Sequence, residues 1–126
     1  MLKETADLAS EYWKLLRGFE RAILNVPEDA RARSLLANYY SSLGRADDAV
    51  REMQFAVMLR PQDSTLHYNC ACTYATLGRK SDSLDSLRKA WEYGYRDVVW
   101  VRRDPDLVPL HGDPEFERLY PAEPAR

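Results

Sequence analysis

His67, Cys70 and Cys72 come nearest, by residue type and spacing, to a reactive site in this chain. A histidine three residues ahead of a cysteine on one helix can meet it side by side. Such a pair can act as base and nucleophile, and Cys72 would add a third donor for zinc. Helix geometry separates the set: five residues advance about 140° around the axis, which turns Cys72 away from His67. Structural zinc takes four converging ligands, and the other histidine, His111, sits in the distant tail. We therefore read Cys70 as a small core residue and Cys72 as lining the opposite face. Asp47–Asp48, Asp82–Asp85 and Asp104–Asp106 fall at helix starts or solvent faces, where carboxylates serve unpaired N–H groups and the helix dipole. The five glycines are scattered and form no phosphate loop. The expectation is a protein that is not an enzyme, with no catalytic residue, no metal and no cofactor.

These residues ride on helices that the sequence delimits. Leu2–Val26 carries Tyr12, Leu16, Phe19 and Ile23 at spacings of three and four, the mark of one buried face. Trp13, Leu15, Ala22 and Leu24 widen that stripe, Gly18 weakens the helix by roughly 1 kcal/mol, and Ser10 is the one break point within it. Pro27 ends it. Asp29 can cap a helix over 30–43, and Gly44 can stop it in left-handed geometry. A partner helix follows over about 46–59, with Ala49, Val50, Met53, Ala56 and Val57 inward. After Pro61 and Asp63, Ser64 can cap a helix over 65–77, with Leu66, Cys70, Ala71 and Tyr74 inward. Gly78 turns the chain into a helix over 80–93 that carries Leu84, Leu87, Ala90 and Trp91 inward.

The pattern comes twice. A shift of 34 residues carries Ala37 onto Ala71, Tyr40 onto Tyr74, Leu43 onto Leu77, Gly44 onto Gly78, Asp48 onto Asp82, Ala56 onto Ala90 and Pro27 onto Pro61. A fixed period of this length with a central Leu-Gly belongs to helix–turn–helix repeats, and at these residues the chain resembles the tetratricopeptide repeat (TPR) family. The resemblance implies an all-α fold, a short TPR solenoid coiled as a right-handed superhelix, in one domain over 1–126. Residues 1–28 form an N-terminal helix left from a degenerate repeat, 30–63 and 64–97 are full repeats, 98–120 is a helical C-terminal cap and 121–126 a disordered tail. Ser83, in place of Ala49, departs from the first unit. The last open face of a stacked repeat needs a cap. Asp104-Pro105 and Asp113-Pro114 each pair an N-cap residue with a proline suited to the first helical position. We expect Trp100, Leu107, Leu110, Phe116 and Leu119 to fold back on the helix around Trp91. The stretch from Tyr95 to Tyr120 also resembles tails that close TPR arrays in bacterial regulatory proteins, including ones fused to nucleotide cyclases or protein kinases.

The TPR resemblance further implies a concave groove, lined by the first helix of each repeat, that holds a peptide. On this chain it would be lined by Arg31, Ser34, Asn38, Ser41 and Ser42, then Thr65, Tyr68, Asn69, Cys72 and Thr76. Asn38 and Asn69 match positions where the family bonds the ligand backbone, and an amide can both donate and accept. Ser34 stands where versions that clamp a terminal carboxylate carry lysine. The expected function is a scaffold or adaptor that binds a protein or peptide partner. The alternative is a regulatory or homo-oligomerising docking domain of a larger signalling enzyme. A homodimer would form through Tyr12, Trp13, Leu16 and Phe19 on the N-terminal helix.

Composition narrows the partners. The chain is 45% hydrophobic and 30% charged, with a net charge of −2 from 18 basic and 20 acidic residues. That balance gives no footprint for nucleic acid or a membrane surface. No apolar run approaches the roughly 20 residues of a membrane span, and the N-terminus lacks the build of a signal peptide. Two cysteines close together on one helix suit reduced thiols and a cytoplasmic location.

Overall fold

The computed structural model describes the backbone of residues 2–122 and the side chains of Glu11 and of residues 13–122. The Tyr12 side chain and residues 123–126 of the expected tail lie outside the described residues. The chain is all-α, with no strand among the described residues. It forms two compact units, Met1–Leu59 and Arg60–Arg126.

The first unit holds α1 (Leu2–Asn25), α2 (Ala30–Ser42) and α3 (Ala46–Leu59). α1 runs unbroken through Ser10 and Gly18 and packs on α2. Leu16 is fully buried, and Phe19 lies against Tyr39 at a centroid distance of 5.3 Å. Asp29 caps α2 by accepting from the Ala32 N–H at 3.0 Å. α3 pairs with α2 as a helical hairpin, with Ala37, Ala49 and Ala56 fully buried. Side chains this small let two helix backbones approach closely. Leu43 is the C-cap residue and is exposed.

The second unit opens on the matching hairpin, α4 (Ser64–Thr76) and α5 (Lys80–Glu92). The period is visible in its hydrogen bonds. Arg45 N–H reaches the Tyr40 carbonyl at 2.9 Å, and Arg79 N–H reaches that of Tyr74 at 2.9 Å. Gly44 and Gly78, with φ of +75° and +76°, make these Schellman turns, a conformation that a Cβ would strain. Arg33 and His67, also 34 apart, each bond the carbonyl of the proline before their helix, Pro27 and Pro61, both at 2.7 Å. At the substituted position, buried Ser83 donates to the Ala71 carbonyl at 2.7 Å, so its hydroxyl is satisfied where Ala49 needs no partner. Asp63, not Ser64, caps α4 by accepting from Leu66 N–H at 3.1 Å. Its carboxylate stands one residue earlier, where the backbone is still extended.

The tail then folds over this hairpin as α6 (Val98–Arg103), a 3-10 helix (Pro105–Leu110) and α7 (Pro114–Leu119). Asp97, Asp104 and Asp113 cap them in turn. Leu107, Leu110 and Phe116 join Leu84, Leu87 and Ala90 in one core, with Trp91 and Leu119 packed against it, as expected. Trp100 is the exception: it is 46% exposed, and Val101 is fully buried in its stead. In so short a helix, a face three residues wide takes Val98 and Val101 inward and leaves Trp100 outside.

Ion pairs fasten the tail at its rim. Lys80 pairs with Asp113 at 3.1 Å, Arg88 with Glu115, and Arg102 with Glu117. The bond from Lys80 holds the Asp113 carboxyl below its ordinary 3.8, and the Gly112 N–H and Arg102 hold Glu117 below its ordinary 4.5. Both pKa values are lower in the folded state. Their contribution is therefore complete above the ordinary values and is lost as pH falls through the lower, folded ones. The thermal midpoint is expected to fall progressively below about pH 4, and Asp113→Asn is expected to flatten part of that slope in a pH series of melts.

Candidate functional site

The junction of α4 with the tail gathers a cluster of buried polar groups. Asp104 is buried, and both of its carboxylate oxygens accept hydrogen bonds. One oxygen accepts from its own Asp106 N–H at 3.0 Å; the other accepts from Tyr68 Oη and, at 3.5 Å, from Cys72 Sγ. Tyr95 stacks on Tyr68 at 4.2 Å with the rings 9° from parallel. Tyr120 Oη donates to the Tyr95 carbonyl at 3.0 Å. Burial pushes the Tyr68 phenol far up, so it stays a donor. Burial, then the Asp104 charge, also raises the Cys72 thiol. Cys72 Sγ and the carboxylate oxygens of Asp104 and Asp106 lie within 4.8 Å of one another. Tyr68, Cys72 and Asp104 thus form a hydrogen-bonded joint in which the Cys72 thiol donates.

His67 and Cys70 do not form a reactive pair. The His67 ring donates to the Pro61 carbonyl and stacks on Tyr93 at 5.4 Å. Cys70 is buried, and burial pushes its thiol up to about 12. Neither thiol is expected to react with Ellman's reagent in the native protein at neutral pH, whereas both of the chain's cysteines should react in urea. A native thiol that titrates at once would contradict the closed junction.

The faces expected to line a groove divide. On α2, Arg31 and Asn38 are exposed. Ser34 and Ser41 are buried, and Ser34 Oγ donates to the Arg31 carbonyl at 2.8 Å, within its own helix. On α4, Thr65 and Thr76 are exposed and Asn69 is half-buried, while Tyr68 and Cys72 lie beneath the tail of the same unit. A family model described as bacterial transcriptional activator domain matches residues 19–110, from late α1 through both hairpins to the end of the 3-10 helix.

The chain belongs to the bacterial transcriptional activator domain family.

That family is a helical domain of transcriptional regulators. No curated protein matches the chain. In this activator domain, as the match delimits it, the 3-10 helix over Tyr68 and Cys72 belongs to the domain itself and is no appendage. The period of 34 could not reveal that joint, because Asp104 lies outside it; the Asp-Pro start of the 3-10 helix was the one signal at hand.

α1 presents a different surface. At 100° per residue, Trp13, Arg17, Glu20, Arg21 and Leu24 share one outer face, and Leu15 falls on the opposite flank. Trp13 is 51% exposed and Leu24 79% exposed. Leu16 and Phe19, expected to serve self-association, instead pack inside the first unit. No helix among the described residues is long and apolar enough to cross a membrane.

Proposed function

We propose that this domain is a non-catalytic scaffold that binds a protein or peptide partner on behalf of a transcriptional regulator. In this reading it works as tetratricopeptide repeats do, through the first helices of its two hairpins, in the cytoplasm, with neither nucleic acid nor a membrane as its target. The observation that carries it is the contrast along α2 and α4. Every thiol and the histidine there are buried or committed to hydrogen bonds. Arg31, Asn38, Thr65 and Asn69 meanwhile keep polar groups at least partly open to solvent. Asn38 and Asn69 would bond the partner's backbone, while Arg31 and Thr65 would contact its side chains.

The test is a pull-down with wild type beside an Asn38→Ala, Asn69→Ala double variant, read by mass spectrometry. A partner held by wild type and lost by the variant would name the ligand. An identical catch for both would remove these faces from consideration. A second reading, homo-oligomeric docking, draws on the exposed Trp13 of α1. It requires a dimer in sedimentation that Trp13→Ala abolishes.

A further inference from the structure

We propose that the outer face of α1, together with Arg45 from the α2–α3 turn, is a docking surface for an acidic segment of a partner protein. Trp13, Arg17, Glu20, Arg21, Leu24 and Arg45 line one open cleft of about 580 Å³. Three guanidinium groups face a single carboxylate within it. Arg17 and Arg21 are held by contacts that leave their charge uncompensated, while Arg45 is paired with Asp48. Arg17 lies over the Trp13 ring, 5.9 Å from its centroid. Arg21 Nε donates to the Arg17 carbonyl at 3.5 Å. Arg45 lies 4.3 Å over the Tyr40 ring and donates to Asp48 at 2.8 Å through Nε alone, which keeps its outer N–H groups for a ligand.

A guanidinium fork matches a carboxylate bidentately. Trp13 and Leu24, at opposite ends of the face, stand roughly 16 Å apart along the helix, about the span of a five-residue extended peptide. The complementary occupant therefore carries several carboxylates between two apolar side chains. Glu20 inside the cleft interrupts the positive face, which disfavours the evenly spaced phosphates of a nucleic acid. Discrete carboxylates can be placed around it. The apolar ends likewise favour a peptide, since Leu24 has nothing to offer a phosphate.

The probe is fluorescein-labelled Glu-Leu-Asp-Glu-Phe-Asp-Glu-Leu, titrated with the full chain by anisotropy. Its controls are the same peptide with Gln and Asn for Glu and Asp, and a labelled single-stranded DNA. The acidic peptide is expected to bind, and the neutral one to bind roughly tenfold more weakly or not at all. Arg17→Glu, Arg21→Glu is expected to lose at least about tenfold in affinity, while Arg17→Lys, Arg21→Lys retains most of it. Both variants should keep the wild-type circular dichroism, since neither side chain is buried. Four results would overturn the proposal: equal affinity for the acidic and neutral peptides, binding unchanged by charge reversal, tighter binding of the DNA, or no binding at millimolar peptide. A dimer broken by charge reversal but indifferent to the acidic peptide would assign the face to a second copy instead. None of these outcomes depends on Asn38 or Asn69, so the proposal fails or stands apart from the hairpin-face reading.

Discussion

Phe116→Ala is expected to destabilise the second unit by about 3–5 kcal/mol, the range for emptying a buried aromatic site. Phe116 is fully buried. Its ring stacks with His111 at 5.4 Å, lies under the Arg102 guanidinium at 5.3 Å and meets Tyr120 at 6.4 Å. Tyr120 in turn meets Trp91 edge-on at 5.4 Å. These neighbours come from α5, α6 and the tail, so the void has walls on several elements that cannot collapse together. Urea unfolding followed by tryptophan fluorescence measures the effect. Phe116→Leu, which keeps most of the volume, should cost less than about 1.5 kcal/mol. A loss below about 1 kcal/mol for the alanine variant would mean that α7 is a loosely attached strap, outside the cooperative core.

Asp104→Ala is the second large effect, expected at about 2–4 kcal/mol. The N-cap of the 3-10 helix accounts for about 1 kcal/mol. The remainder comes from the buried Tyr68 hydroxyl, which would lose its acceptor at a cost of about 1–3 kcal/mol. Tyr68→Phe removes the same bond from the other side and keeps the stacking on Tyr95. The two changes share one interaction, so the double variant should cost less than the sum of the singles, with a coupling of about 1–3 kcal/mol. Urea unfolding of the four proteins in the cycle supplies the value. Additive losses would show that Tyr68 and Asp104 act independently and that the joint is not what ties the tail to α4.

Much of this architecture was legible from the chain alone. Asp29, Gly44 and Gly78 act on their own neighbours, and a capping carboxylate or a left-handed glycine needs no distant partner. The period of 34 linked Ala37 to Ala71 and Ala56 to Ala90, and all four are fully buried. The placing of Leu107, Leu110 and Phe116 over the last hairpin also followed from local signals, because an open apolar face and an apolar tail of matching length leave few alternatives. The errors were short in range: Ser64 for Asp63 as a cap, and Trp100 for Val101 as the inward residue. Each turns on one residue of helix phase, which apolar counting does not resolve.

The face of α4 was decided elsewhere. Tyr68 and Cys72 read as groove residues because their helix position matches a repeat whose outer side stays open. Their burial depends on Asp104, which is 32 residues beyond Cys72 in the chain. Likewise Leu16 became core and Phe19 half-buried because α2 packs on their side of α1. Helix limits, turns and the repeated hairpin are set by interactions within a few residues, and the sequence by itself determined them. Which face of each helix is covered depends on contacts between segments far apart in the chain, and only the tertiary structure decided that.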